Sequence, residues 1–129
     1  MDIREVEEVL GAFRVLRPPK YIFMTNEPLT DGLYAGLQPK WRSDVIVLGA
    51  HATPVTVIHE TLHTMGFGET LAYPLAELLA RKLELQERFP LIRSLTGVKP
   101  RYERAEDWGE FAEAAEKYKG RIELYVRKF

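Results

Sequence analysis

The spacing of apolar residues divides the chain into helical and extended stretches. Apolar residues recur every three or four positions, the period of one helix face, in three stretches: 3–16, 70–88 and 103–119. Four shorter stretches rich in β-branched and aromatic residues favour strands: 21–24, 33–37, 44–48 and 121–129. The last stretch alternates apolar and polar residues, which predicts a half-buried strand, whereas the continuously apolar 45–48 predicts a strand covered on both faces.

One more helix is predicted from the residues at its two ends. Thr53 followed by Pro54 is typical of an N-cap and a first helical position. Gly66 and Gly68 are expected to end this helix. Between them an apolar stripe at helical spacing is expected to face the core, and it consists of Val55, Ile58, Leu62 and Met65.

The order of these elements predicts an α+β fold, with an N-terminal backing helix, a small and mostly antiparallel sheet, and two central helices in one domain over residues 1–129. The chain has no cysteine, which excludes disulfides and cysteine-ligated zinc.

A formal net charge of −1 with interspersed signs gives no reason to expect nucleic acid or membrane as a partner. The first residues lack a secretory signal pattern, so we expect a cytoplasmic protein. One asparagine and two glutamines against 29% charged residues favour a thermophilic source.

Residues 57–69 are the stretch that indicates chemistry, because His59, Glu60 and His63 form the pattern His-Glu-x-x-His. Residues four apart lie on one helix face with Cβ atoms about 5 to 6 Å apart, so both rings can reach one metal ion. Glu60 then lies beside that ion, where it can take a proton from bound water. Two histidines four apart by chance are the ordinary alternative, yet two of the chain's three histidines flank this glutamate.

The stretch resembles the active-site helix of the zincin metallopeptidases. The resemblance implies that His59 and His63 bind one Zn²⁺ ion and that Glu60 is the general base in the hydrolysis of peptide bonds. It also requires a third protein ligand, since catalytic zinc takes three protein ligands and a water. In size and order of elements the chain is most similar to the minigluzincins, which keep a backing helix, a sheet, an active-site helix and a glutamate helix.

Glu69 is the first candidate for the third zinc ligand. The run His-Glu-x-x-His-x-x-Gly-x-x-Glu resembles the metzincin signature up to Gly66, where glycine allows a sharp turn that brings residue 69 to the metal. The methionine-containing turn of that family is absent. Gluzincins instead place a glutamate on the next helix, and Glu69-Thr70-Leu71-Ala72 matches their Glu-x-x-Ala setting in part, with Tyr73 where an aspartate is usual. Glu77 is the alternative ligand if the two helices form a close hairpin.

Other residues are candidates for substrate contacts. Zincins hold an extended substrate along an edge strand, and the candidate strand here is Leu33, Tyr34, Ala35, Gly36 and Leu37. An oxyanion could be stabilised by a tyrosine hydroxyl, for which Tyr34, Tyr73 and Tyr102 are candidates. His51 is interpreted as a loop histidine near the end of a strand.

The expected function is that of a zinc metallopeptidase with a peptide or protein as substrate. The alternative is a zinc-binding protein of the same fold that is catalytically silent or latent and acts as an interaction module. Latency would require a cover for the cleft, and residues 101–129 are the candidate cap. A third possibility is that the helix binds no metal and is purely structural.

Overall fold

The computed structural model describes residues 1–29, 36–37, 42–88, 100–118 and 121–128. Within these ranges the helices are α1 (Ile3–Gly11), α2 (Pro54–Thr64), α3 (Glu69–Arg88) and α4 (Ala112–Lys117), with a 3-10 turn at Gly109–Phe111. The strands are β1 (Tyr21–Thr25), β2 (Gly36–Leu37), β3 (Val45–Leu48), β4 (Arg101–Arg104) and β5 (Ile122–Lys128). This combination of separate helices and one sheet confirms the predicted α+β class.

The described strands form one mixed sheet in the order β2-β3-β1-β5-β4. β1 and β3 run parallel, with Ile22 opposite Ile46. The other three pairings are antiparallel, in agreement with a mostly antiparallel sheet. Among the described strands β2 is the outermost beside β3, so Gly36 and Leu37 of the candidate substrate strand lie at an edge of this sheet.

Alternate residues of the strands point to opposite faces of the sheet and bury two separate apolar clusters. On one face the sheet residues pack against α1, α2 and α3, and they are Ile22, Ile46 and Leu48. On the other face they pack against Phe111 of the 3-10 turn, and they are Phe23, Val45 and Leu124. The long helices therefore cover one face only, and the candidate site on α2 lies on that side.

α1 is shorter than the apolar pattern predicted. It begins at Asp2, whose carboxylate accepts a hydrogen bond from the Glu5 N–H, and it ends at Gly11 instead of continuing to residue 16. Phe13 and Leu16 lie beyond the helix and are still buried. The apolar pattern correctly predicted that Phe13 and Leu16 are buried. Burial does not require a helical backbone, and the helix ends at Gly11 because glycine has a low helix propensity.

The buried faces of α2 and α3 differ in part from the apolar stripes that predicted these helices, which include Val55 in α2 and the leucines of residues 70–88 in α3. Ile58 and Leu62 are buried as predicted, whereas Val55 in the first turn is 40% exposed. α3 buries a stripe of small and large residues against α2, which consists of Ala72, Ala76, Leu79 and Leu83. Its exposed leucines are Leu71, Leu78 and Leu85. Alanines permit close approach of two helices, and an apolar scale that favours leucine does not detect this.

The predicted helix over residues 103–119 is wrong in its first half. Residues 101–104 form β4, which pairs with β5, and regular α-helix begins only at Ala112. Tyr102 explains the difference, because its side chain is buried and its hydroxyl donates a 2.6 Å hydrogen bond to the Pro19 carbonyl oxygen. This contact joins residues 83 positions apart, so no local pattern could indicate it.

The described part of the 101–129 segment lies in the sheet and on the face away from α2. β5 pairs with β1 in the interior of the sheet. Phe111 packs against Phe23, Val45 and Leu124 on the face of the sheet away from α2. That position gives no support to the interpretation of this segment as a cap over the site. Among the described helices, none has the length and apolar character needed to cross a membrane.

Candidate metal centre

α2 is fixed at its N-terminus by Thr53 and Thr56. The Thr53 hydroxyl accepts from the Thr56 N–H at 3.5 Å, and the Thr56 hydroxyl accepts from the Thr53 N–H at 3.1 Å, which together form a capping box. Pro54 occupies the first turn, where a missing N–H is tolerated. The predicted start of the helix is therefore confirmed, and the helix axis is set one turn before the histidines.

His59 and His63 lie one turn apart on α2, at the border of its buried face. Their side chains are largely buried, and their Nε2 atoms are 3.0 Å apart. At this distance one ring can donate a hydrogen bond to the other, or both can turn their lone pairs to a shared cation. The spacing of the motif therefore produces the convergence of ring nitrogens that was predicted.

Gly66 reverses the chain after α2 by a Schellman turn. Its φ angle is +96°, in the left-handed region that favours glycine. The Phe67 N–H donates to the Leu62 carbonyl at 3.1 Å, and the Gly66 N–H donates to the His63 carbonyl at 3.0 Å. The turn is short enough that α3 begins at Glu69, beside the end of α2.

Glu69 lies against both histidines. Its Oε1 atom is 2.6 Å from His63 Nε2 and 3.5 Å from His59 Nε2. In a tetrahedral zinc site with metal–ligand distances of about 2.0–2.1 Å, any two ligand atoms are about 3.3 Å apart. The distances of 3.0 and 3.5 Å lie close to that value, whereas the 2.6 Å contact is that of an ion pair and would lengthen by about 0.7 Å around a bound ion.

The Phe67 carbonyl oxygen orients His63 from the opposite side of the ring. It lies 2.8 Å from His63 Nδ1, and because a carbonyl only accepts, Nδ1 must carry the hydrogen. In the neutral ring the lone pair is then on Nε2, the atom that faces Glu69 and His59. Sequence reasoning missed this contact, since it is made by a backbone atom whose position depends on the turn at Gly66.

Glu60 is buried directly beside the cluster. Its side chain is 7% exposed, and its Oε1 atom lies 3.7 Å from His59 Nε2. Burial raises the pKa of Glu60 to about 7, an effect that nearby His63 opposes and the Glu69 carboxylate reinforces. A carboxyl group with this pKa can exchange protons near neutral pH, which is the property of a general base or acid.

The pKa of His59 is lowered, mainly by burial and then by the proximity of His63. The Glu69 carboxylate acts in the opposite sense. A lowered pKa keeps the ring neutral near pH 7, and the neutral imidazole is the form that binds a metal. The side chain of Glu69 is 62% exposed, so the cluster is open to solvent on the α3 side.

The other candidate residues are distributed as follows. Glu77 is exposed two turns further along α3, about 12 Å from Glu69. The group of side chains that could hold a metal among the described residues consists of His59, Glu60 and His63 and contains neither glutamate of α3, but Glu69 is in contact with His63. His51 is exposed before α2 and is also outside that group.

The two candidate oxyanion donors among the described residues are Tyr73 and Tyr102. The Tyr73 ring packs on the His59 ring, with 4.6 Å between the ring centroids. The Tyr102 hydroxyl is already bonded to Pro19, away from α2, which argues against a role for Tyr102 at an oxyanion.

Part of the candidate substrate strand lies within the described ranges. Gly36 and Leu37 form β2, which packs against α2 as well as pairing with β3. Leu33, Tyr34 and Ala35 lie outside the described residues, so their predicted roles remain predictions. The edge position next to the helix with the histidines is the position that the substrate interpretation requires.

Against known proteins, no family model, no curated protein and no solved structure matches this chain. The zincin resemblance therefore rests on residues 56–76 and not on a relative of the whole chain. The fold and the site define a class in physical terms, namely an α+β domain in which His59, Glu60 and His63 could hold a metal ion.

Proposed function

We propose that this protein is a zinc-dependent peptidase whose site is formed by residues 59–69. One observation carries the proposal: the Nε2 atoms of His59 and His63 and the Oε1 atom of Glu69 lie within 3.5 Å of one another while a buried carboxylate, Glu60, lies beside them. A purely structural metal site would be expected to have four protein ligands and no adjacent acid. Three ligands with an adjacent general base favour hydrolysis.

Each residue has a distinct role in the proposed reaction. His59, His63 and Glu69 would hold the ion, which when bound makes water nucleophilic near neutral pH and polarises a carbonyl. Glu60 would take a proton from the attacking water and return it to the leaving amine, which its place 3.7 Å from His59 Nε2 allows. Phe67 keeps His63 in the tautomer that binds the ion.

The substrate class follows from the surroundings of the cluster. β2 is an edge strand, so its backbone groups on the outer side can pair with an extended peptide. Glu69 and Tyr73 are both exposed on the first turn of α3 and border the open side of the site. A peptide bound along β2 would have its carbonyl near Glu60, and the Tyr73 hydroxyl is the candidate donor to the developing oxyanion.

The proposal is tested with protein purified without chelators, by metal analysis and by cleavage of a fluorogenic peptide library. We expect about one zinc per chain in both the wild type and Glu60→Gln, with hydrolysis reduced about 10²- to 10⁴-fold in the variant. Glu77→Gln is the matched control and should behave like the wild type. A native protein that contains no metal, or a Glu60→Gln variant that cleaves at the wild-type rate, would overturn the proposal.

A metal-binding module without hydrolytic activity is the second candidate. It is favoured by the Tyr73 ring, which packs on His59 at 4.6 Å and restricts access beside the ligand. The same experiment separates the two functions, because the second predicts one zinc per chain with no cleavage of any peptide in the library. Cleavage that appears only in Tyr73→Ala would show that this ring blocks the site.

A further inference from the structure

Gly36 is the point of closest approach between the edge strand and the helix that carries Glu60. A Cβ atom added to Gly36 would lie 2.8 Å from Thr56 Cγ2, 3.1 Å from Glu60 Cγ and 3.1 Å from the Val47 carbonyl oxygen. The 2.8 Å contact with Thr56 Cγ2 is too short to persist, and each of the two neighbours at 3.1 Å must give by a few tenths of an ångström. Gly36 is therefore required for space and not for an unusual φ angle, unlike Gly66, which has open space around it.

Two of the three neighbours resist displacement. The Thr56 hydroxyl takes part in the capping box with Thr53, so rotation of this side chain would weaken the start of α2. Val47 belongs to β3, whose backbone pairs with both β1 and β2. The Glu60 side chain is the remaining neighbour, and its methylene group can move by rotation about its own bonds.

From this geometry we infer that Gly36 is a positioning residue for Glu60: its missing side chain allows the edge strand to lie against the Glu60 methylene group and holds the carboxylate beside the histidines. Any larger side chain at position 36 shifts the carboxylate from its place 3.7 Å from His59 Nε2. The Gly36 backbone of β2 pairs with Leu48 of β3. Gly36 therefore sets both the position of the Glu60 carboxylate and the distance between that carboxylate and the outer edge of β2.

The consequence differs from that of a ligand substitution. Neither histidine nor Glu69 is among the nearest neighbours of the added Cβ atom, so metal binding should be preserved in Gly36→Ala. If the proposed function is correct, the proton transfer by Glu60 should suffer, and a misplacement of about 1 Å can reduce a rate about 10²-fold. The expected signature is a fall in kcat of about 10- to 100-fold with zinc affinity changed less than about 3-fold.

The test compares Gly36→Ala with Gly49→Ala. Gly49 is equally crowded, with a built Cβ 2.7 Å from Leu29 Cγ, but it has no contact with Glu60. Crystal structures of the wild type and both variants, with and without zinc, give the distance from the Glu60 carboxylate to His59 Nε2. We expect a displacement of at least a few tenths of an ångström in Gly36→Ala only. An unmoved carboxylate beside a displaced β2, or an equal kcat loss in Gly49→Ala, would overturn the inference.

A second variant keeps the test decisive if Gly36→Ala does not fold. Thr56→Ser removes Cγ2, the closest neighbour, and keeps the hydroxyl that caps α2. The double variant Gly36→Ala/Thr56→Ser should fold while Glu60 stays displaced, and recovery of the wild-type position of Glu60 would contradict the inference. The measurement of kcat depends on the proposed function. The distance from the Glu60 carboxylate to His59 Nε2 in the crystal structures does not. A wild type that cleaves no peptide therefore refutes the function and still leaves the role of Gly36 decided by the structures.

Discussion

The two sides of the sheet are built in different ways. On the α2 side the candidate site is formed by residues 59–69, which are joined by one helix turn and one glycine turn. On the other side Phe111 reaches strands far away in sequence, with ring centroids 5.0 Å from Tyr21 and 5.1 Å from Phe23. Short-range geometry determines the first region, and long-range packing determines the second.

Arg42 joins several parts of the chain on the face of the sheet away from α2, which is called the far side below. Its guanidinium lies 5.0 Å from the Tyr21 ring and 5.2 Å from the Phe111 ring, and it forms 2.7 Å ion pairs with Asp44 and Glu110. These contacts link three separate parts of the chain. The comparison teaches that packing between distant parts of the chain builds the far side, whereas the local geometry of residues 59–69 determines the candidate metal site.

The largest effect is expected for Phe111→Ala on the far side. Phe111 is buried against Phe23, Val45 and Leu124, so the substitution should lower the free energy of unfolding by about 3 kcal/mol, as measured by urea denaturation. Zinc stoichiometry should not change, because no residue of 59–69 belongs to this cluster. Leu85→Ala, at an exposed position, is the control and should cost less than about 0.5 kcal/mol. Loss of zinc from a folded Phe111→Ala protein would break the comparison.

The same difference explains what could be predicted from the sequence. His59 and His63 converge because the helical repeat brings them together, and Glu69 joins them because Gly66 permits a left-handed turn. Both causes are local and visible in the residue order. β4 was missed because it depends on pairing with β5 and on the Tyr102 contact with Pro19. The close approach of Gly36 to Glu60 was missed for the same reason, since the two residues meet only after the sheet has formed.

The second prediction concerns the choice between Glu69 and Glu77. Glu69→Gln removes the charge of the proposed ligand 2.6 Å from His63 Nε2, so zinc affinity measured by competition with a chelator should fall at least about 100-fold. Glu77→Gln is a matched substitution on the same helix and should leave the affinity unchanged within about 2-fold, because Glu77 lies about 12 Å further along α3. The reverse result would show that α3 binds the metal through its third turn and that the local account of the site is wrong.

The smallest effect is a pH dependence of stability in the metal-free protein. The pKa of Glu60 is raised to about 7 by burial, so between about pH 4.5 and 7 the folded protein holds a proton that the unfolded chain releases. Stability from this group is therefore complete at low pH and is lost as the pH rises toward 7. The full shift corresponds to about 3 kcal/mol, and the solvent that reaches the site beside Glu69 should reduce the effect to about 1–2 kcal/mol.

The measurement is the difference in free energy of unfolding between the wild type and Glu60→Gln across this pH range, with a chelator present. His59 acts in the opposite direction, because its lowered pKa makes the folded protein resist protonation as the pH falls, but it is present in both proteins and largely cancels in the difference. Glu60→Gln should therefore gain stability relative to the wild type as the pH rises to 7. A constant difference would mean that Glu60 is well solvated, and the site would then resemble the exposed surface more than the buried acid that its position beneath Gly36 indicates.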